Sequence, residues 1–101
     1  MKPVGLYMFV DPSADPAQHR AEIETPKIKM LVQGVRSIDE GAAMAKQLVA
    51  EGVSLIELCG AFGYAGAKAV SDAVGDRASV SPTVSQVLDA PKLAKILETW
   101  S

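Results

Sequence analysis

The sequence predicts an α/β domain with a four-stranded, mainly parallel sheet, and two observations carry that reading. Short apolar runs rich in β-branched and aromatic residues recur at Val4 to Val10, Ile28 to Val35, Val53 to Cys59 and Ala78 to Ser81. Between them lie segments whose apolar residues repeat at helical spacing and whose ends carry capping residues. Strands that alternate with helices build right-handed βαβ units, and such units require a parallel sheet with helices laid against it.

Each element has its own local reason. The first strand stops at Asp11-Pro12, and Asp15-Pro16-Ala-Gln18 then offers a capping side chain and an early proline, which predicts a short helix. Thr25-Pro26 ends it after about two turns, so the first crossover is short and loop-rich. After the second strand, Ser37-Ile-Asp-Glu40 reads as a capping box, in which the Ser hydroxyl takes the amide three residues on and the Glu reaches back. Ile38, Ala42, Ala45, Leu48 and Val49 share one face of the helix near 38–51, and Gly52 supplies the left-handed residue that ends it. The third strand leads to a second helix near 65–74, where Ala69, Val70 and Ala73 are apolar and Gly75 is the terminator. The fourth strand is the weakest, being interrupted by Ser79, Ser81 and Pro82. A third helix opens at Asp89-Ala-Pro91 and carries the stripe Leu93, Ile96, Leu97, Trp100.

With 101 residues the chain is read as one domain, 1–101, and 49% hydrophobic against 22% charged residues belongs to an ordered chain. A net charge of −2 with scattered Lys and Arg builds no positive stripe, which argues against a nucleic-acid partner. One cysteine forms no internal disulfide, and MKPVGLYMFVDP reads as a strand rather than a signal peptide. No apolar stretch approaches the length of a membrane span, so the expected setting is the cytoplasm with no membrane partner. A small sheet leaves bare edges and a bare helical face, so we expect a homo-oligomer, a dimer by preference.

In an open parallel sheet, ligands bind beyond the carboxyl ends of the strands. Those ends carry Asp11, then Gln33 and Gly34, then Glu57, Cys59 and Gly60, then Ser81 and Thr83. Period two puts Glu57 and Cys59 on one face of their strand. A carboxylate buried in a parallel sheet is costly without a cation or several donors, so Glu57 is either neutralised by Arg20, Lys29 or Arg36 or serves a ligand as acid or base. Cys59 is a small core hydrophobe or a nucleophile, and the second role needs a base, for which His19 is the one histidine. His19 itself reads either as a surface residue or as that partner, with Arg20 beside it as an anion-binding cation. Gly60-Ala-Phe-Gly63-Tyr-Ala-Gly66 is a glycine-rich strand-to-helix loop whose amides at Gly60 and Gly63 would suit an anion, although it matches no nucleotide-binding spacing. Phe62 and Tyr64 in that loop either pack on a neighbouring helix or cover a pocket or interface. One His, one Cys and scattered acids make a poor metal set, and no cofactor motif is present, so neither is expected.

D-P-x-x-H-R-x-x-I-E-T-P at 15–26, Gly34-Val35, and E-G-V-x-L-I-E-L-C-G-x-F-G at 51–63 together resemble a family of small bacterial proteins of unknown function. The resemblance covers most of the chain and weakens after Gly75; it implies a compact α/β domain and draws attention to His19, Arg20, Glu57, Cys59 and Gly60, and it carries no assigned activity. Val53 to Gly63 also looks like one βα unit of a (β/α) barrel, which offers half a barrel closed by dimerisation as an alternative architecture. Two function classes follow. In one the protein binds, or binds and turns over, a small anionic or carbonyl-containing metabolite, with Glu57 as acid or base and Cys59 or His19 nearby. In the other it is a non-catalytic oligomeric module with Glu57 neutralised internally.

Overall fold

A computed structural model describes residues 2–100. The sheet has five strands: β1 (Val4–Val10), β2 (Arg20–Glu24), β3 (Lys29–Val35), β4 (Val53–Leu58) and β5 (Ser79–Pro82). Three helices follow the strands, α1 (Ile38–Ala50), α2 (Gly63–Val74) and α3 (Ala90–Glu98). The spatial order is β2-β3-β1-β4-β5, parallel throughout except for β2, which runs antiparallel to β3 at the edge. The four expected strands are all present and mutually parallel, and the fifth is the one the sequence reading did not foresee.

That fifth strand replaces the helix expected after Asp15-Pro16. A single turn does form there, with the Asp15 carboxylate accepting from the Ala17 amide at 3.0 Å and the Asp15 carbonyl accepting from the His19 amide at 2.7 Å. The chain then straightens, because Arg20-Ala-Glu-Ile-Glu24 alternates with period two and pairs with residues 29–33 of β3. Thr25-Pro26 makes the hairpin turn rather than a helix stop. The Thr25 hydroxyl accepts from the amides of Lys27 and Ile28, and the Thr25 amide donates to the Ile28 carbonyl at 2.8 Å.

The two long helices begin and end where their caps dictate. Ser37 Oγ accepts from the Glu40 amide at 3.1 Å, and Glu40 reaches back to the Arg36 amide, one residue earlier than a standard capping box. Gly52 and Gly75 take positive φ values of 119° and 62° just past α1 and α2.

Both long crossovers, β3-α1-β4 and β4-α2-β5, step across the sheet in the same direction. Right-handedness therefore lays α1 and α2 side by side on one face. Leu6, Met8, Leu31, Val35, Ile56 and Leu58 point into this layer and pack with Ala45, Leu48, Val70 and Val74. The connection from β1 to β3 steps the other way, and a helix in it would have covered the opposite face. The chain places β2 there instead, so that face is open. The half-barrel alternative does not hold, since a barrel needs strands in sequential order and β1 here lies between β3 and β4. Among the described residues no helix is long and apolar enough to cross a membrane.

Candidate functional site

A cleft of about 420 Å³ lies at the carboxyl ends of β1 and β3, where the loop after β1 returns into β2. Phe9, Ala21 and Val32 form its apolar lining, Asp11, Ser13 and His19 supply its polar groups, and Arg20 borders it from the edge strand, in register with Gln33 on the helix side, where it also borders a smaller cleft with Glu22, Lys29 and Glu51. The Phe9 ring lies over Gly34, where an added Cβ would come within 2.8 Å of it, so Gly34 serves the cleft by making room for its wall. The Asp11 amide continues the ladder by donating to the Val35 carbonyl at 2.8 Å.

The polar groups are held by their own loop. One Asp11 oxygen accepts from the Ser13 amide at 2.9 Å and from the Ser13 hydroxyl at 2.7 Å. Those two bonds, the amide first, hold the Asp11 carboxyl below its ordinary value, with a smaller contribution from His19. His19 Nδ1 accepts from the Asp15 amide at 2.7 Å, so the neutral ring carries its proton on Nε2. The His19 carbonyl accepts from the Gly34 amide at 2.8 Å, which ties this turn to β3. The Arg20 guanidinium has no hydrogen-bond or ion-pair partner among the described residues. Gln33 faces the helix side and is buried, and its Nε2 donates to the carbonyls of Pro16 and Gly34 at 2.9 Å each, clamping the loop from beneath.

The remaining candidates stand elsewhere. Glu57 is exposed on the open face, opposite Tyr7 of β1 and Ser81 of β5 in register. The anticipated desolvation penalty does not arise there, because water reaches the carboxylate. The Tyr7 phenol is raised above its ordinary value, first by burial and then by the charges of Cys59 and Glu57, which gathers these three residues between β1 and β4. Cys59 is half-buried and packs against the core, with its amide donating to the Met8 carbonyl at 2.9 Å. It stands across β1 from His19. Gly60 approaches Thr83 at the β4-β5 end, where the Thr83 amide donates to the Leu58 carbonyl at 3.0 Å. The Gly63 amide donates to the Gly60 carbonyl and is not free for an anion. Phe62 is buried between α1 and α2, whereas Tyr64 is exposed. Asp11, His19 and Arg20 thus come together, while Glu57 and Cys59 gather around Tyr7. Ser13 and Tyr7 are the residues the sequence reading missed; Asp-Pro-Ser is a turn signal for the first, and period two from Leu6 and Met8 marks the second.

A family model matches residues 5–98. The chain belongs to DUF6506, a family of unknown function. No curated protein and no solved structure matches it. The DUF6506 match runs from β1 to the last residue of α3, so the cleft, the open sheet face and α3 all lie within the family's domain.

Proposed function

We propose that the protein binds a small metabolite bearing a carboxylate or phosphate, or a carbonyl, in the cleft at the ends of β1 and β3. The supporting observation is the pair His19 and Arg20. The imidazole has one nitrogen engaged by the Asp15 amide, which leaves Nε2–H as a donor, and the next residue, Arg20, carries a guanidinium that is unpaired among the described residues and starts from the helix side of the edge strand. The Phe9 and Val32 side chains offer an apolar wall to the rest of such a ligand. Binding is favoured over turnover because Glu57 and Cys59 stand across β1 from His19, and the one carboxylate in the cleft, Asp11, is engaged by the Ser13 amide and hydroxyl. The single unpaired thiol fits a reducing cytoplasm, where we place the protein.

A panel of carboxylates and phosphate esters followed by thermal unfolding tests this. A ligand at ten times its dissociation constant adds about 1.4 kcal/mol to stability, a shift of several degrees for a domain this size. Arg20→Gln should abolish the shift and leave the ligand-free midpoint in place. A panel that shifts nothing, at millimolar concentration, sinks the reading.

The open face favours a second reading, an oligomeric module. Helices cover one side of the sheet only, and Tyr7, Ile23 and Leu55 are exposed on the other. Parallel sheets are stable when both faces are covered. Sedimentation at micromolar concentration should show self-association, and a clean monomer counts against it.

A further inference from the structure

We propose that two copies of the chain exchange arms, with residues 83–100 of each lying across the open sheet face of the other. This rests on the second reading above and specifies its surface.

The large apolar side chains left bare are concentrated in two places. One is the open face, with Tyr7, Ile23 and Leu55. The other is the arm, where Leu93, Ile96 and Leu97 form one stripe of α3 and Trp100 follows in the turn just past it. The arm is built rather than trailing. Its root is fixed by the Thr83 amide on the Leu58 carbonyl at 3.0 Å. Its elbow is closed twice over, by the Asp89 amide on the Gln86 carbonyl at 3.0 Å and by Gln86 Nε2 on the Asp89 carboxylate at 2.9 Å. α3 packs chiefly on this elbow and buries none of its own residues.

Three arguments make the occupant a second copy. A helix of nine residues is too short to persist in water by itself, so its stripe needs a surface to rest on. Each chain has one bare stripe and one bare face; a two-fold exchange covers both in both copies, whereas a foreign partner covering one leaves the other exposed. The areas also agree. The stripe and face residues expose roughly 700 Å² per chain, close to the roughly 800 Å² per partner of a standard stable interface. Phe9, Ala21 and Val32 belong to the same face, so the incoming arm borders the ligand cleft and each site is completed by its neighbour.

Two substitutions and the one tryptophan test this. Ile96→Asp spoils the arm and Leu55→Asp spoils the face; both side chains are solvent-facing in the single chain, and circular dichroism confirms that each variant folds. We expect the unaltered chain to be dimeric at micromolar concentration, with Trp100 emission blue-shifted and reverting on dilution. Each variant alone should raise the dissociation constant by roughly a hundredfold. Their mixture should recover a heterodimer, because the intact arm of one meets the intact face of the other. An unaltered chain that is monomeric overturns both the exchange and the second reading, and concentration-independent blue-shifted emission would then place the arm on its own sheet. A dimer indifferent to Ile96→Asp, or a mixture that stays monomeric, overturns the exchange alone and leaves the oligomeric module standing.

Discussion

Phe62 fits between α1 and α2 because each helix turns a glycine toward it. An added Cβ at Gly41 would meet the ring at 2.9 Å, and one at Gly66 would meet the Phe62 Cβ at 3.0 Å. Neither contact can be accommodated without movement, and the ring is already 2% exposed with nowhere to go. We therefore expect Gly41→Ala to destabilise by about 1–3 kcal/mol despite the better helix propensity of alanine, read as a lower urea midpoint with an unchanged slope. Phe62→Ala should lose about 3–5 kcal/mol through the cavity it leaves. A stabilising Gly41→Ala would mean that the helices are not held at this spacing. The same logic explains Gly34, whose missing side chain lets Phe9 lie flat at the cleft. Sequence alone marks these glycines as small residues on an apolar face, but which ring occupies each gap depends on the crossing of elements distant in the chain.

Elements whose boundaries are set by adjacent residues were legible, and elements set by pairing were not. Ser37, Gly52 and Gly75 determine helix ends through bonds and backbone angles a few residues away, so α1 and α2 lie where the caps put them. Ser37→Ala should cost about 1 kcal/mol by releasing the Glu40 amide, measured by thermal or urea unfolding; a neutral result would mean that the Arg36–Glu40 pair holds the end unaided. Strand β2 differs in kind. Asp15-Pro16 starts a turn in either a helix or a loop, and five alternating residues become a strand only because β3 offers an edge to pair with. The strand also decides the site. A helix in that crossover would have covered the second face and buried Glu57, whereas the hairpin leaves it in water and instead carries His19 and Arg20 to the end of β3. The strand-end rule identified Asp11, and the motif around His19 and Arg20 identified the other two, without revealing that they share one cleft.

At the scale of the molecule, a sheet covered on one side draws its stability from one apolar layer and a perimeter of exposed charges, which sets its response to pH. Three carboxyls are held below their ordinary values. Glu40 is lowered first by the Arg36 side chain, Asp11 by the Ser13 amide, and Glu24 by the Lys2 side chain. Each favours the folded state while ionised, so its contribution is complete above the unfolded carboxyl values near 4 and fades as pH falls through the lower folded ones. The Tyr7 phenol is raised from 10.0, chiefly by burial, and works in the opposite sense. The folded state holds that proton more tightly, so its contribution is complete below pH 10 and is lost as pH rises through the folded value. The urea midpoint should therefore be level between about pH 5 and 9.5 with respect to these groups and decline on both sides. Tyr7→Phe should remove the alkaline decline and leave the acid one. Glu40→Gln should reduce the acid decline and lower the plateau. Salt should weaken the acid limb, because Asp11 and Glu24 are exposed and Glu40 is half-buried beside an exposed Arg36, so these interactions are screened. A midpoint that rises on acidification would mean that these carboxyls are strained rather than favoured by their partners.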